Sequence, residues 1–227
     1  MRRILKLSTL SVALAGGLAG VAAADGPAGG AAPAQPAVPA VTVPTYINTT
    51  CPIMGKPASK AMFADTSHGR IYVCCPPCIA KILKDPERAY EAAYPVAKKA
   101  GNTVCPVTDK PLGADAVTVT LQGYEVGVCA TCVKEATTNH QIVLAKALDP
   151  KIVEIRNATC PVTSQPVETN AFCVIGNELI HLSSPKAVEE VKKDPVKHLK
   201  TAKEIVARQE AAAAAAAAAA RAGTPAR

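Results

Sequence analysis

CPIMGKP at residues 51–57 returns as CPVTDKP at 105–111 and as CPVTSQP at 160–166. The steps are 54 and 55 residues, and read without gaps the register continues past the opening turn. Twenty-four residues after each first cysteine stand Cys75, Cys129 and Ser184, and twenty-seven after it stand Cys78, Cys132 and Ala187. Thirty-four after it stand Asp85, Asn139 and Asp194, with Pro86 and Pro195 following in the first and third copies. A fixed period of this kind marks tandem units of one supersecondary structure.

Each copy reads alike. A Cys-Pro turn comes first, closed by a second proline (Pro57, Pro111, Pro166). An alternating hairpin follows: MFADTSHGRIYVC, AVTVTLQGYEVGVC and FCVIGNELIHL. The expected turns are His68-Gly69, Gln122-Gly123 and Gly176-Asn177. Helical patterns come last, and Asp85-Pro86 and Asp194-Pro195 inside them predict a short helix, a break and a second helix. The expectation is an α+β chain of three small tandem treble-clef-like units, in which turn, hairpin and helix start converge. Ten alanines at 211–220 extend the last helix.

The ends of the chain bear on compartment. Arg2, Arg3 and Lys6 precede a short apolar run at 10–21, and Ala22-Ala23-Ala24 stands ahead of Asp25. That is the form of a secretory signal peptide, too short for a membrane span and without a lipid-attachment cysteine. A periplasmic or secreted protein with no membrane insertion after cleavage is expected. The expected organisation is signal peptide 1–24, a Pro/Ala-rich disordered linker at 25–45, repeats at 46–98, 99–150 and 151–208, and a poly-alanine tail at 209–227. The formal charge of +7 falls to +4 once Arg2, Arg3 and Lys6 are removed. Scarce aromatics, never interleaved with Lys or Arg, give no support to nucleic-acid binding.

A unit of roughly 45 ordered residues is near the lower size limit for folding without a staple. The cysteines therefore hold the unit together, bind something, or both. In copy one, Cys51 lies in the turn, while Cys74, Cys75 and Cys78 lie where the second strand meets the helix. A helix N-terminus favours thiolates. Thiolates are soft ligands for Zn²⁺ or Cu⁺, and four at one point form a closed site.

CPIMGKP…YVCCPPCIAKILKDPERAY resembles the TRASH and YHS-like heavy-metal-binding domains over residues 51 to about 95. The resemblance is weaker from 105 to 148 and fainter from 160 to 200. It implies a treble-clef metal-binding module concerned with sensing, trafficking or resistance for copper, zinc or mercury-like ions, and it leaves the metal open. The expected ligands are Cys51, Cys74, Cys75 and Cys78 in copy one, and Cys105, Cys129 and Cys132 in copy two, which has Val128 at the position of Cys74. The partners this implies are a metal ion, zinc or copper foremost, and a protein of metal trafficking.

Other readings stand beside this one. Exported cysteines usually form disulfides. Copy three has Ser184 and Ala187 in place of the Cys75/Cys78 pair, and Cys160 with Cys173 is its candidate disulfide. A structural-zinc or disulfide-stapled partner-binding module is the first alternative, and a CxxC thiol-disulfide oxidoreductase the second. The latter calls for a βαβ context that the hairpin pattern does not supply. Met54 is read first as a turn residue, His181 as a surface or packing residue, His68 as solvated, and Tyr72, Tyr90 and Tyr94 as the small core of copy one. No nucleophile–His–acid set, paired carboxylates or phosphate loop is present, so no enzyme is expected.

Overall fold

The computed structural model describes residues 38–222. The expected signal peptide, most of the expected linker and the last residues of the tail lie outside the described residues.

Each Cys-Pro turn is closed the same way. The Cys51 N–H donates to the Lys56 carbonyl (2.7 Å) and the Gly55 N–H donates back to Cys51 (2.8 Å). The same pair of bonds joins Cys105 to Lys110 and Asp109, and Cys160 to Gln165 and Ser164. The fifth residue must be left-handed: Gly55 has φ 66°, Asp109 58° and Ser164 58°. Glycine takes this conformation freely, and a short polar side chain tolerates it. Isolated bridges Thr50–Pro57, Val104–Pro111 and Thr159–Pro166 then return the chain toward its hairpin.

After β1 (Val41–Thr42), copy one contributes β2 (Phe63–Thr66), β3 (Gly69–Tyr72), α1 (Pro76–Lys84) and α2 (Pro86–Ala93). Copy two contributes β4 (Lys98–Lys99), β5 (Ala116–Leu121), β6 (Tyr124–Cys129), a 3₁₀ turn (Ala130–Cys132), α3 (Val133–Thr138) and α4 (His140–Leu148). Copy three contributes β7 (Val153–Ile155), β8 (Phe172–Ile175), β9 (Glu178–His181), α5 (Ala187–Lys193) and α6 (Pro195–Ala222). The chain is thus mixed α+β, with three small sheets and a long C-terminal helix that carries the poly-alanine run. The helix breaks fall where the prolines predict. Asp85 caps α2 by accepting the Arg88 N–H (3.3 Å), and Asp194 caps α6 by accepting the Lys197 N–H (3.0 Å).

Two expectations are corrected by strand register. The first hairpin turns at Ser67-His68, because Thr66 pairs with Gly69. In copy two, Leu121 pairs with Tyr124, so the hairpin sits one residue later relative to Cys105 than the gapless alignment implies. The extra residue is offset after β6 by one fewer, where a 3₁₀ turn replaces the first helical turn of copy one. Cys129, not Val128, is therefore the structural counterpart of Cys74, and the residue missing from copy two is the counterpart of Cys75.

The sheets extend beyond the hairpins. β4 adds parallel to β6, and β7 parallel to β9. The N-terminal β1 adds antiparallel to β8, so the start of the described chain closes the sheet of copy three. Each copy has its own buried cluster. The fourth cluster packs Ile142 and Ala145 of α4 on Phe172, Val174 and Leu179. All residues of α4 from His140 to Ala147 are buried, which makes it the central helix of the molecule. In copy one, Tyr90 and Tyr94 pack on the apolar cluster, whereas Tyr72 meets the Phe63 ring edge-on (5.8 Å). The described residues group as one compact unit. Among the described residues no helix is long and apolar enough to cross a membrane.

Candidate metal centres

An asparagine three residues before each first cysteine fixes the turn to the strand that brings in the second thiol. The Asn48 carboxamide accepts the Tyr72 N–H (2.8 Å) and donates to the Tyr72 and Thr50 carbonyls (2.9 and 2.7 Å). Asn102 makes the same three bonds with Gly127 and Val104, and Asn157 with His181 and Thr159. This bracket was legible as N-x-x-C-P in all three copies, yet the cysteine-centred reading passed over it. Its spacing also locates the slip, since Tyr72 and Gly127 lie 24 and 25 residues after their asparagines.

Held this way, the turn and the strand end converge. Cys51, Cys74 and Cys78 place their sulfurs within 4.8 Å of one another, and so do Cys105, Cys129 and Cys132. In each triad the first and last cysteines are buried and the middle one is half-buried. Cys75, the remaining member of the set expected in copy one, stands outside the triad with its sulfur 3.1 Å from that of Cys78. It is the residue before α1, which opens on Pro76 and Pro77.

Electrostatics single out the first cysteine of each turn. Burial opposes charge on Cys51, but backbone N–H groups of Cys74, Ile53 and Met54 outweigh it and lower its thiol to about 7. Burial likewise opposes charge on Cys105, and N–H groups of Cys129 and Thr108 lower it to about 6. The last cysteine goes the other way: burial, then the neighbouring Cys75 and Cys51, push Cys78 up to about 12. Cys132 is raised by burial and by Cys105. Each cluster thus stabilises one thiolate and holds a proton on another, and a cation replaces such a proton when it binds.

Copy three keeps the turn and loses the thiol triad. Cys160 stays buried and its thiol is lowered; burial opposes this, and the side chain and N–H of Ser183, then N–H groups of Thr163 and Val162, prevail. Ser183 occupies the strand-exit position of Cys74 and Cys129, and its hydroxyl lies 2.8 Å from that of Thr163. The matching pair in copy two is Thr108 with Cys129 (3.8 Å). Met54 holds that turn position in copy one and is exposed. Cys173 is buried in the same cluster as Cys160; burial and that neighbour push its thiol up to about 12. All nine cysteines are free thiols.

No histidine is a member of either triad, and the fourth histidine, His198, lies against the Pro161 carbonyl beside Cys160 (3.4 Å). His181 meets Glu154 (2.9 Å), and His140 faces Asp65 (3.5 Å). The His68 ring lies against Tyr90 (5.2 Å) and its carbonyl accepts the Gln122 N–H (3.2 Å), so His68 is a contact at the junction of copies one and two rather than a solvated tip. Compared with family models, curated proteins and solved structures, the chain matches none.

Proposed function

We propose that this protein binds soft metal ions through cysteine thiolates, one ion at Cys51, Cys74 and Cys78 with Cys75 as an outer fourth thiol, and one at Cys105, Cys129 and Cys132. The observation that carries the reading is the convergence of three thiols in two separate copies of one unit, each around a thiolate already stabilised by backbone N–H groups. Three soft donors suit Zn²⁺ or Cu⁺. The meeting of turn, hairpin and helix start at the thiols supports a treble-clef-like reading, the one that the TRASH/YHS resemblance of the sequence implies. With its signal-like N-terminus, the chain reads as an exported carrier or buffer of a heavy metal, loading or unloading a protein of metal trafficking, and not as an enzyme.

A structural-zinc module is the second reading. It is favoured by the place of Cys51, Cys78, Cys105 and Cys132 inside the apolar clusters of their copies, where an ion also staples the unit. Chelator competition on the zinc-loaded chain, followed by metal release and far-UV circular dichroism together, separates the two. A carrier gives up its ions with the fold intact, whereas a structural site loses metal and secondary structure in one step.

A further inference from the structure

The pair Cys75 and Cys78 carries more than ligand chemistry. Its sulfurs are 3.1 Å apart, inside the roughly 3.5–4.0 Å at which non-bonded heavy atoms come to rest. The Cys78 N–H also donates to the Cys75 carbonyl (3.2 Å), so the connecting backbone is already folded into a turn. Pro76 and Pro77 between them fix two φ angles, so the two thiols are held together by a stiff link. Their surroundings differ: Cys75 is half-exposed and outside the triad, while Cys78 is buried and inside it. An accessible thiol is thus in contact with a ligand thiol. Copy two has no counterpart of Cys75, and its three thiols are all members of the triad.

We propose that Cys75 and Cys78 form an oxidation-gated release element for the ion of copy one, driven by a low-molecular-weight disulfide. This rests on the metal-binding reading above. The Cys75 thiolate attacks one sulfur of the disulfide RSSR, forming Cys75–S–SR and releasing RS⁻. Cys78 then attacks the Cys75 sulfur: its metal–sulfur bond breaks, the electron pair of that bond forms the Cys75–Cys78 disulfide, and a second RS⁻ leaves. Two thiolates are oxidised and one RSSR is reduced to two thiols, which balances the two electrons. Copy one then retains only Cys51 and Cys74, too few for a closed site, and its ion departs into solution. Copy two keeps its ion, because every thiol able to attack there is itself bound.

The test uses the full chain loaded with Zn²⁺. Zinc and free thiols are counted, oxidised glutathione is added, released zinc is followed with a chromophoric chelator, and disulfides are mapped by mass spectrometry. The expected result is release of one of two zinc ions, with two thiols lost and the linkage found between Cys75 and Cys78. A Cys75→Ser variant, compared at the fraction of zinc it still holds in copy one, releases that zinc at least tenfold more slowly. Release at the wild-type rate from the variant, or release with the linkage elsewhere, overturns the proposal. Zinc that binds but stays bound under oxidant overturns it alone, whereas failure to bind zinc overturns the metal-binding reading itself.

Discussion

Asn48 shows how much a single side chain does here. It is buried, and it satisfies one backbone N–H and two carbonyls that join the Cys51 turn to the strand carrying Cys74. Asn48→Ala leaves those groups without partners, at a cost of about 2–3 kcal/mol. Urea unfolding is expected to show that loss, and zinc affinity of copy one to fall with it. The thiols give a second expectation. A thiol with a lowered pKa is ionised above that pKa and takes up a proton as pH falls through it. Cys51 stands at about 7 and Cys105 at about 6, so protons compete for copy one first. Zinc retention against pH, measured in Cys105→Ser and Cys51→Ser variants to isolate each site, is expected to fail at the higher pH in copy one. The cysteines that converge in the two triads were readable from spacing. The division of roles between Cys74 and Cys75 was not, because it depends on the slip in the hairpin.

At the scale of elements, the repeat made three hairpins legible, and with them the broken helices of copies one and three; copy two also breaks, at Asn139, where no proline announces it. Proline after aspartate stops one helix and starts the next by steric necessity, so those boundaries were local and legible. The one-residue slip in copy two was hidden because an extra residue before the turn is matched by one fewer after it. The residue separation from Cys105 to Cys132 therefore equals that from Cys51 to Cys78. Hairpin tips make a further contact that no single unit reveals. Gly69 has φ 113°, and a Cβ there meets the Gln122 Cγ at 2.7 Å and its backbone nitrogen at 3.4 Å. The Gln122 N–H also donates to the His68 carbonyl (3.2 Å). Gly69→Val strains the turn and forces the tips of copies one and two apart. A loss of about 1–3 kcal/mol is expected in urea unfolding, and Thr66→Val on the same hairpin is expected to cost less.

The whole molecule is organised around α4, whose burial the sequence did not announce, since HQIVLAKAL reads as an ordinary helix of one repeat. Its burial comes from neighbours far away in the chain, and such pairings leave no local pattern. At its end, Lys146 meets Asp109 and Glu154 (2.8 Å each), Arg156 meets the same two carboxylates (3.2 and 3.3 Å), and His181 meets Glu154 (2.9 Å). This network ties the Cys105 turn of copy two to the sheet of copy three. Burial opposes charge on Glu154, but hydrogen bonds from His181 and Lys146 outweigh it and hold the carboxyl at about 2. Its contribution is present above the ordinary carboxylate range near 4.5 and is lost as pH falls from there toward 2. That contribution is on the order of 3 kcal/mol, and Glu154→Gln is expected to flatten the acid limb of a stability-against-pH curve.

The central claim is that the two triads hold ions independently. Native mass spectrometry of the full chain after zinc loading and desalting tests it most directly, with Cys51→Ser and Cys105→Ser beside the wild type. Two zinc ions on the wild type and one on each variant is the predicted result. No zinc on the wild type, or a single ion that survives in both variants, contradicts it.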